Sequence, residues 1–167
     1  VKMNNVKVKV NNFGLSNKKQ DLSFYFHKEG SGNASAAIMN DDRDNIEVKC
    51  HVDTIDNYIK DNNVRKLDFI KCDVEGAELL TFKGGIETIS EHKPIMFTEM
   101  LRKWPARFNY HPNEIIDLLK RIGYSCYFVD GTRLKEITII TDETNETNFF
   151  FLHKEKHQNK LKKLLTN

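Results

Sequence analysis

From residue 67 onwards, short apolar runs alternate with longer segments that have the periodicity of a helix. The apolar runs predict strands at 67–72, 94–99, 124–129 and 149–152. The periodic segments predict helices at 77–89 and 112–122. Strands that alternate with helices build βαβ units, and the closing pair of strands adds an antiparallel strand at the edge of the sheet or within it. We therefore predict an α/β fold whose sheet is mostly parallel, with an antiparallel C-terminal strand.

Glycine and proline indicate where these elements begin and end. Gly84 and Gly85 weaken the first helix and predict a break within it. Pro112 and Glu114 have the spacing of a helix start, so His111 beside them is interpreted as part of a cap rather than as a base. Gly123 lies where the second helix would end. The polar residues 138–147 are expected to form a long connection between the last two strands.

The chain before residue 67 carries mostly strand signals. Alternating or β-prone runs predict strands at 6–10, 22–26 and 47–52. The residues 11–17 predict a loop that leaves the first of these strands. The cluster of Gly, Ser and Asn at 30–35 predicts a mobile loop, and its Gly-rich part, Gly30–Gly32, could also belong to a hairpin. Thr54 is expected to cap a short helix.

The net charge of +2 is too small to indicate nucleic acid or an acidic membrane as a partner. The basic excess is local, because residues 153–167 hold five Lys and one Glu. We divide the chain into a domain at 1–152 and a basic tail at 153–167. The tail is expected to be a frayed end, with an amphipathic helix that places Leu161, Leu164 and Leu165 on one side as the alternative.

The three cysteines, Cys50, Cys72 and Cys126, lie far apart and without the spacing of a metal site. Cys72 and Cys126 interrupt apolar runs, which favours buried, unreactive thiols. This pattern fits a reducing compartment. No apolar run approaches the roughly 18–20 residues that span a bilayer. We expect a cytoplasmic protein with no stable membrane insertion.

Acidic residues follow two of the predicted strands. Asp73 and Glu75 come directly after the strand at 67–72, Glu78 opens the next helix, and Glu99 ends the strand at 94–99. Ligands of open α/β sheets bind outside the carboxyl ends of the strands, so these acids are candidates for a site. A structural interpretation stays open, since Asp73 could cap the helix and Glu78 could stabilise its N-terminus. Gly76 allows a ligand to approach the backbone closely or simply permits a tight turn.

Residues 102–110 carry Trp104 and Tyr110 among basic side chains. Aromatic rings beside Arg can stack on a sugar or a base. A surface lid that packs on the core is the preferred interpretation.

The run Asp68-Phe-Ile-Lys-Cys-Asp-Val-Glu-Gly-Ala-Glu-Leu79, followed by Lys83-Gly84, Lys93-Pro94 and Glu99, resembles the hallmark of the FkbM-type methyltransferases. Residues 8–17 resemble the third sheet strand of that family and the loop after it. Residues 31–35 and 52–56 are similar to its small insertion and to the stretch before the acidic strand. The resemblance covers residues 6–100 well and the remainder by topology.

The resemblance implies a Rossmann-like class I methyltransferase, a three-layer sandwich that uses S-adenosylmethionine. It implies O-methylation of a hydroxyl on a sugar, a glycan or a small metabolite. Carried onto this sequence, the family's catalytic side of the site comprises Asp73, Glu75 and Glu99. Its cofactor side comprises Asn12, Gly14, Leu15, Ser16 and again Asp73, with Leu15 as an apolar wall beside the adenine. No metal ligand is implied.

The sequence departs from the family at its beginning. Class I methyltransferases open with a strand, a Gly-rich loop and a second strand that ends in an acid, and no match to these parts is found. We therefore expect an N-terminally incomplete fold that binds S-adenosylmethionine weakly or not at all. The sheet would then present an unpaired edge, through which the chain could pair or oligomerise.

Two other classes of function are kept as alternatives. The first is a Mg²⁺-dependent transferase or phosphohydrolase that uses Asp73, Glu75 and Glu99 as oxygen ligands. The second is a non-catalytic remnant or assembly module. Neither accounts for the ordered series of matches from Val8 to Glu99.

Overall fold

The computed structural model describes residues 6–27, 30–35, 45–101 and 109–165. The strands are β1 (Gly14–Leu15), β2 (Gln20–His27), β3 (Gly30–Ser35), β4 (Asn45–Asp53), β5 (Phe69–Cys72), β6 (Ile95–Glu99), β7 (Tyr124–Asp130), β8 (Arg133–Ile137) and β9 (Asn148–His153). The helices are α1 (Ile55–Asp61), α2 (Glu78–Lys83), α3 (Ile86–His92), α4 (Asn113–Lys120) and α5 (Gln158–Leu165). The α/β class is as predicted.

The first sheet has the order β1-β4-β2-β3, with β2 antiparallel to both β3 and β4. Two predictions about this region are wrong. Residues 6–10 form no strand, and Val6, Val8 and Val10 are all more than half exposed. Alternation alone does not make a strand when no neighbour is available for the backbone to pair with. Residues 30–35 form β3 rather than a mobile loop, because they pair antiparallel with β2 despite their Gly and Ser content, as the alternative of a hairpin at Gly30–Gly32 allows.

The second sheet has the order β5-β6-β9-β7-β8. The closing strand β9 is inserted between β6 and β7 and is antiparallel to both, which is one of the two placements predicted for it. The mostly parallel sheet is not found. Of the strand pairs described in the two sheets, β1–β4 and β5–β6 are parallel and the other five are antiparallel. The insertion of β9 separates two strands that run in the same direction.

Helices α2, α3 and α4 cover one face of the second sheet. Their apolar side chains form a core with alternate residues of β6, β7 and β9, such as Met96, Cys126 and Phe151. Phe82 and Ile89 are fully buried in this core. Burial of one such side chain contributes roughly 1.5–3 kcal/mol, so this core contributes substantially to the stability of the sheet. The predicted break at Gly84 and Gly85 is confirmed, because α2 ends before these residues and α3 begins after them.

Gly84 permits a close contact between the two halves of the described structure. A Cβ atom at this position would lie 2.0 Å from the carbonyl oxygen of Ser16 and 3.1 Å from the Cα of Asn17. The C-terminal end of α2 therefore packs directly on the backbone of the loop after β1. This contact fixes the position of residues 14–17 relative to the second sheet.

Helix α5 covers part of the opposite face of the second sheet. Leu161 is buried there with Tyr127 and Leu152, whereas Leu164 and Leu165 are 38% and 41% exposed. The amphipathic helix considered for the tail is therefore present in place of a frayed end. His153 and His157 hold its start, since the backbone N–H of His153 donates to Nδ1 of His157 over 3.0 Å. The division into a domain and a tail stays a prediction.

Several local predictions are confirmed. The Thr54 hydroxyl accepts a hydrogen bond from the Asn57 N–H and caps α1. His111 acts in a cap, as its Nδ1 accepts from the Asn113 N–H and its own N–H donates to Glu114. Gly123 has a φ of +89° at the turn into β7. Cys72 and Cys126 are buried and all three cysteines are free. None of the helices in the described residues is long and apolar enough to cross a membrane.

Candidate active site at the carboxyl ends of β5 and β6

Three carboxylates converge where β5 and β6 end. Oxygens of Asp73, Glu75 and Glu99 all lie within 4.8 Å of one another. The parallel register explains part of this arrangement, because Cys72 pairs with Thr98 and the next residue of each strand is one of the acids. The structure thus brings together all three of the residues that the sequence predicted to be catalytic.

The turn after β5 depends on backbone conformations that side chains rarely adopt. Glu75 has a φ of +52° and Gly76 a φ of +103°. Glu78 stabilises this turn from the start of α2, because its Oε1 accepts the N–H groups of Val74 and Gly76 over 3.2 and 3.1 Å. Glu78 is only 3% exposed. Its carboxylate therefore positions the segment that carries Asp73 and Glu75.

Tyr110 supports the same turn from a second side. Its hydroxyl lies 2.9 Å from the carbonyl oxygen of Gly76 and 3.2 Å from Oε2 of Glu78, so its proton can be donated to either acceptor. Burial and then the nearby charge of Glu78 raise the pKa of the Tyr110 phenol. The hydroxyl therefore stays protonated and acts as a donor. Tyr110 packs against the core, whereas residues 102–108, including Trp104, lie outside the described residues, so the predicted lid stays a prediction.

Asp73 is not the helix cap that was considered for it. The cap position of α2 is Ala77, which makes no side-chain cap bond. Asp73 is instead paired with Lys71, whose Nζ lies 2.6 Å from its Oδ2. Both side chains are partly exposed, and the pairing raises the pKa of Lys71, first through the hydrogen bond with Asp73. Lys71 thus offsets one of the negative charges in the cluster.

Glu99 differs from the other acids in its environment. Partial burial, followed by the charges of Asp73, Glu75 and Glu78, raises the pKa of its carboxyl group, while Lys71 opposes this shift. A raised pKa brings a carboxylate nearer to the proton affinity that general-base catalysis at neutral pH requires. Glu99 is therefore suited to take up a proton. Cys72 beneath the cluster is buried, which raises the pKa of its thiol and excludes it as a nucleophile.

Of the predicted cofactor residues, Asp73 belongs to the acidic cluster, whereas the other four lie in a different part of the described structure. Leu15 is 37% exposed and its carbonyl oxygen accepts a hydrogen bond from Thr81 of α2. Ser16 is buried and its N–H donates to Asp53 at the end of β4. Asn12 is exposed, and Gly14 and Leu15 form β1, so the loop predicted at 11–17 is interrupted by a short strand that pairs with β4. Leu15 and Ser16 contact the middle and the C-terminal end of α2, whereas the acids surround its start, so one helix joins the two groups.

Sequence reasoning missed Lys71 and the positioning roles of Glu78 and Tyr110. A signal for Lys71 was present, because residues two apart on a strand lie on one face and Lys71 precedes Asp73 by two. No signal links Tyr110 to Gly76 across 34 residues of sequence. The turn-forming role of Glu78 was only partly foreseen, as a favourable charge at a helix N-terminus.

A family model described as the Methyltransferase FkbM domain matches residues 2–126. The chain belongs to the FkbM methyltransferase family. Searches of the curated proteins and of the solved structures give no significant match. In this FkbM domain the matched region includes β5, β6 and the acidic cluster, as well as the loop at Asn12–Ser16. The chain is thus a methyltransferase by family, with its acids at the strand ends where ligands of α/β sheets bind.

Proposed function

We propose that the protein transfers a methyl group from S-adenosylmethionine to a hydroxyl of a sugar, a glycan or a small metabolite. The observation that carries this proposal is the convergence of Asp73, Glu75 and Glu99 within 4.8 Å at the strand ends of an FkbM domain. An O-methylation needs a group that orients the acceptor hydroxyl and a group that takes its proton. The cluster offers both kinds of group.

The described residues fit part of the cofactor. The acidic cluster complements the positive charge of a sulfonium group, and the partly exposed Leu15 offers an apolar surface to an adenine. Asn12, Gly14 and Ser16 would line the same side. When bound, S-adenosylmethionine supplies an electrophilic methyl group. The Rossmann-like class I arrangement belongs to this proposal, and it is supported by the common direction of β5, β6 and β7 with β9 inserted antiparallel.

Within this proposal, the acids have distinct roles. Lys71 holds the Asp73 carboxylate in one orientation, so that Asp73 orients the acceptor hydroxyl and faces the methyl donor. Glu75 lies on the substrate side. Glu99 takes up the proton that the hydroxyl gives up, because partial burial and the neighbouring acids raise the pKa of its carboxyl group. Glu78 and Tyr110 keep the turn in place.

The experiment measures S-adenosylhomocysteine and methylated product with a panel of sugars and hydroxylated metabolites. We expect Glu99→Gln to lower kcat by about 10²–10⁴-fold, the usual contribution of a general base. Asp73→Asn and Glu75→Gln should also reduce turnover. Glu87→Gln, on the exposed surface of α3, is the matched control and should leave turnover unchanged. Unchanged turnover in both Asp73→Asn and Glu75→Gln would remove the acidic cluster from the mechanism.

A second candidate function is supported by the same geometry. Three carboxylate oxygens within 4.8 Å can bind a divalent cation, which would make the protein a Mg²⁺-dependent enzyme. Lys71 disfavours this candidate, because its ammonium already pairs with Asp73. Activity that requires Mg²⁺ and is abolished by EDTA would favour the metal. Activity that persists in EDTA would favour metal-independent methyl transfer.

We also propose that the edge strand β5 can pair with another chain. It is the first strand in the order of its sheet, and Phe69 on it is 50% exposed. Exposed apolar edges favour pairing between chains. Light scattering coupled to size-exclusion chromatography tests this. Phe69→Lys should reduce any oligomer, whereas Val129→Lys, at a residue 55% exposed near the other edge, should not.

A further inference from the structure

Two imidazole rings hold the turn between β9 and α5 as hydrogen-bond acceptors. Nδ1 of His157 accepts the backbone N–H of His153 over 3.0 Å. Nδ1 of His153 accepts the backbone N–H groups of Glu155 and Lys156 over 3.2 and 3.3 Å. A ring nitrogen can accept only while the imidazole is neutral, because both nitrogens of the protonated ring are donors. Protonation of the two rings therefore breaks all three hydrogen bonds.

Both rings are also buried. His153 and His157 are each 5% exposed. The His153 ring packs edge-on against the Tyr124 ring, with 5.3 Å between the centroids, and it occupies the space that a side chain at Gly123 would fill. Burial penalises the charged form of an imidazole, so the folded turn favours two neutral rings.

His157 lies at the start of α5. Its carbonyl oxygen accepts the N–H groups of Lys160 and Leu161, each over 2.9 Å. A cation at this end opposes the helix dipole, and the first turn of α5 contains no acid that would offset it. Protonation of His157 is thus unfavourable for the helix as well as for the turn.

The charged groups around the two rings are mostly positive. The groups that act on them are Lys93 after α3, Glu155 and Lys156 in the turn, and Lys160 in α5. The neighbouring elements also bring Arg133, Lys135 and Glu136 of β8, all exposed, and His92 of α3, whose carbonyl oxygen accepts from the Lys156 ammonium. Burial, and then the neighbouring lysines, lower the pKa values of His153 and His157. These surroundings strengthen the preference for neutral rings.

Few side chains hold α5 on the sheet. Leu161 is buried with Tyr127 and Leu152, whereas Leu164 and Leu165 are exposed. A helix of eight residues is marginal in water without tertiary packing. Once the turn has lost its hydrogen bonds, little remains to keep α5 in place.

We propose that His153 and His157 form a pH-sensitive switch: α5 stays docked while both rings are neutral and leaves the sheet when they are protonated, which exposes Tyr127 and Leu152. The release is local, since α2, α3 and α4 pack on the opposite face of the sheet. Because docking lowers the proton affinity of both rings, docking is complete above pH 6.5, the ordinary value, and is lost as the pH falls through the lower docked values. Each histidine changes the docking equilibrium by up to about tenfold per pH unit.

Hydrogen exchange of the whole chain, followed by mass spectrometry at pH 7.5 and 5.5 and corrected for the intrinsic effect of pH, tests the switch. We expect residues 158–165 to lose about tenfold or more of their protection at pH 5.5 and to exchange much faster than α4, which stays protected. Protection of α5 that is the same at both pH values would overturn the switch. Exchange of α5 and α4 at one common rate would overturn it as well, because α5 would then leave the sheet only in global unfolding.

His157→Asn separates protonation from other effects of pH. The Asn oxygen is bonded to Cγ, as Nδ1 is, so it can accept the same N–H group but does not titrate. This variant should lose about tenfold less protection in α5 than the parent between pH 7.5 and 5.5. Lys163→Gln, which removes an exposed charge from the same helix, is the matched control and should lose as much as the parent. Equal losses in His157→Asn and Lys163→Gln would contradict the proposal.

Nitrogen-15 NMR of the imidazole rings tests the same idea on the parent protein, without any substitution. At pH 7.5 both rings should be neutral and carry their proton on Nε2, since Nδ1 is the acceptor in each. A proton on Nδ1 of either ring at this pH would overturn the switch.

Discussion

The ammonium of Lys71 lies 2.6 Å from the carboxylate of Asp73 at the end of β5. Lys71 is the positive group beside a cluster that contains the carboxylates of Asp73, Glu75 and Glu99. Lys71 therefore does two things at once. It orients Asp73, and its charge counteracts the rise in the pKa of Glu99 that burial and the other acids cause.

Replacing this lysine should change the proton affinity of Glu99. In Lys71→Met the opposing positive charge is lost, so the pKa of Glu99 should rise further above its ordinary value. NMR titration of the Glu99 carboxyl carbon measures the shift directly, and the acid limb of the rate profile should move to higher pH. Lys66→Met is the matched control, since Lys66 pairs with Asp68 over 2.8 Å at the opposite end of the same strand segment. A Glu99 pKa that falls or stays constant in Lys71→Met would contradict the argument.

Removal of the Tyr110 hydroxyl should loosen the turn at residues 74–77. Tyr110→Phe leaves the Gly76 carbonyl and Glu78 without this donor, and loss of one such hydrogen bond costs about 0.5–1.5 kcal/mol. We expect a reduced free energy of unfolding and reduced turnover. Tyr124→Phe removes a buried hydroxyl that donates to Pro94 over 2.8 Å, away from the acids, so it should reduce stability alone. Denaturant titration and steady-state kinetics of both variants test this. Equal kcat losses in the two variants would show that the turn has no special role.

The region from β5 to α4 could be predicted well because its signals are local. A strand that ends in acids, the Gly84–Gly85 break and the cap at His111 each depend on residues close in sequence. Residues 6–10 were wrongly predicted to form a strand, and β8 was missed, because these outcomes depend on contacts that sequence patterns do not show. Strand formation depends on a pairing partner, and β8 exists because Arg133–Ile137 pairs with β7. The prediction of a mobile loop at Gly30–Ser35 was wrong for the same reason, since pairing with β2 outweighed the composition of the segment.

The sequence predicted which acids belong to the candidate site, but it did not predict the role of each acid. The carboxyl ends of neighbouring parallel strands necessarily meet, so the sequence alone predicts that Asp73 and Glu99 lie close together. The raised pKa of Glu99 depends on burial, and the support from Tyr110 depends on a contact between distant residues. Neither can be read from spacing.

The stability of the protein should fall when the pH is lowered below about 6.5. Burial, and then neighbouring positive charges including Lys93 and Lys156, lower the pKa values of His153 and His157 below the ordinary 6.5. The unfolded chain then binds protons at a higher pH than the folded chain does. The stabilisation is therefore complete above pH 6.5 and is lost as the pH falls through the two lower folded values.

Urea denaturation at pH 7.5 and 5.5 measures this dependence. His157→Gln removes one titrating imidazole whose Nδ1 accepts the His153 N–H, so the variant should be less stable at pH 7.5 but should lose less stability at pH 5.5. Asn159→Gln, at an exposed residue of α5 that carries no titrating group, is the control and should keep the pH dependence of the parent. A parent protein that is equally stable at both pH values would be inconsistent with neutral, buried histidines.

Substitution of Gly84 should disturb both stability and the cofactor side of the site. In Gly84→Ala the new methyl group would lie 2.0 Å from the Ser16 carbonyl oxygen, so the backbone of residues 14–17 must move. Such overpacking costs about 1–3 kcal/mol, which exceeds the roughly 1 kcal/mol that Ala gains over Gly within a helix. The displaced segment carries Leu15 and Ser16, so the weak binding of S-adenosylmethionine that is expected of this chain should weaken further.

The control for this substitution is Gly131→Ala, at a turn where φ is +62° and no atom lies within 4 Å of the new methyl group. It should cost about 1 kcal/mol through backbone strain alone and leave cofactor binding unchanged. Thermal denaturation and calorimetric titration with S-adenosylmethionine compare the two variants. If Gly84→Ala lowered stability no more than Gly131→Ala and left cofactor affinity intact, the packing of α2 on the Asn12–Ser16 loop would have no part in forming the site. The opposite result would establish that the two groups of site residues are positioned by the same helix.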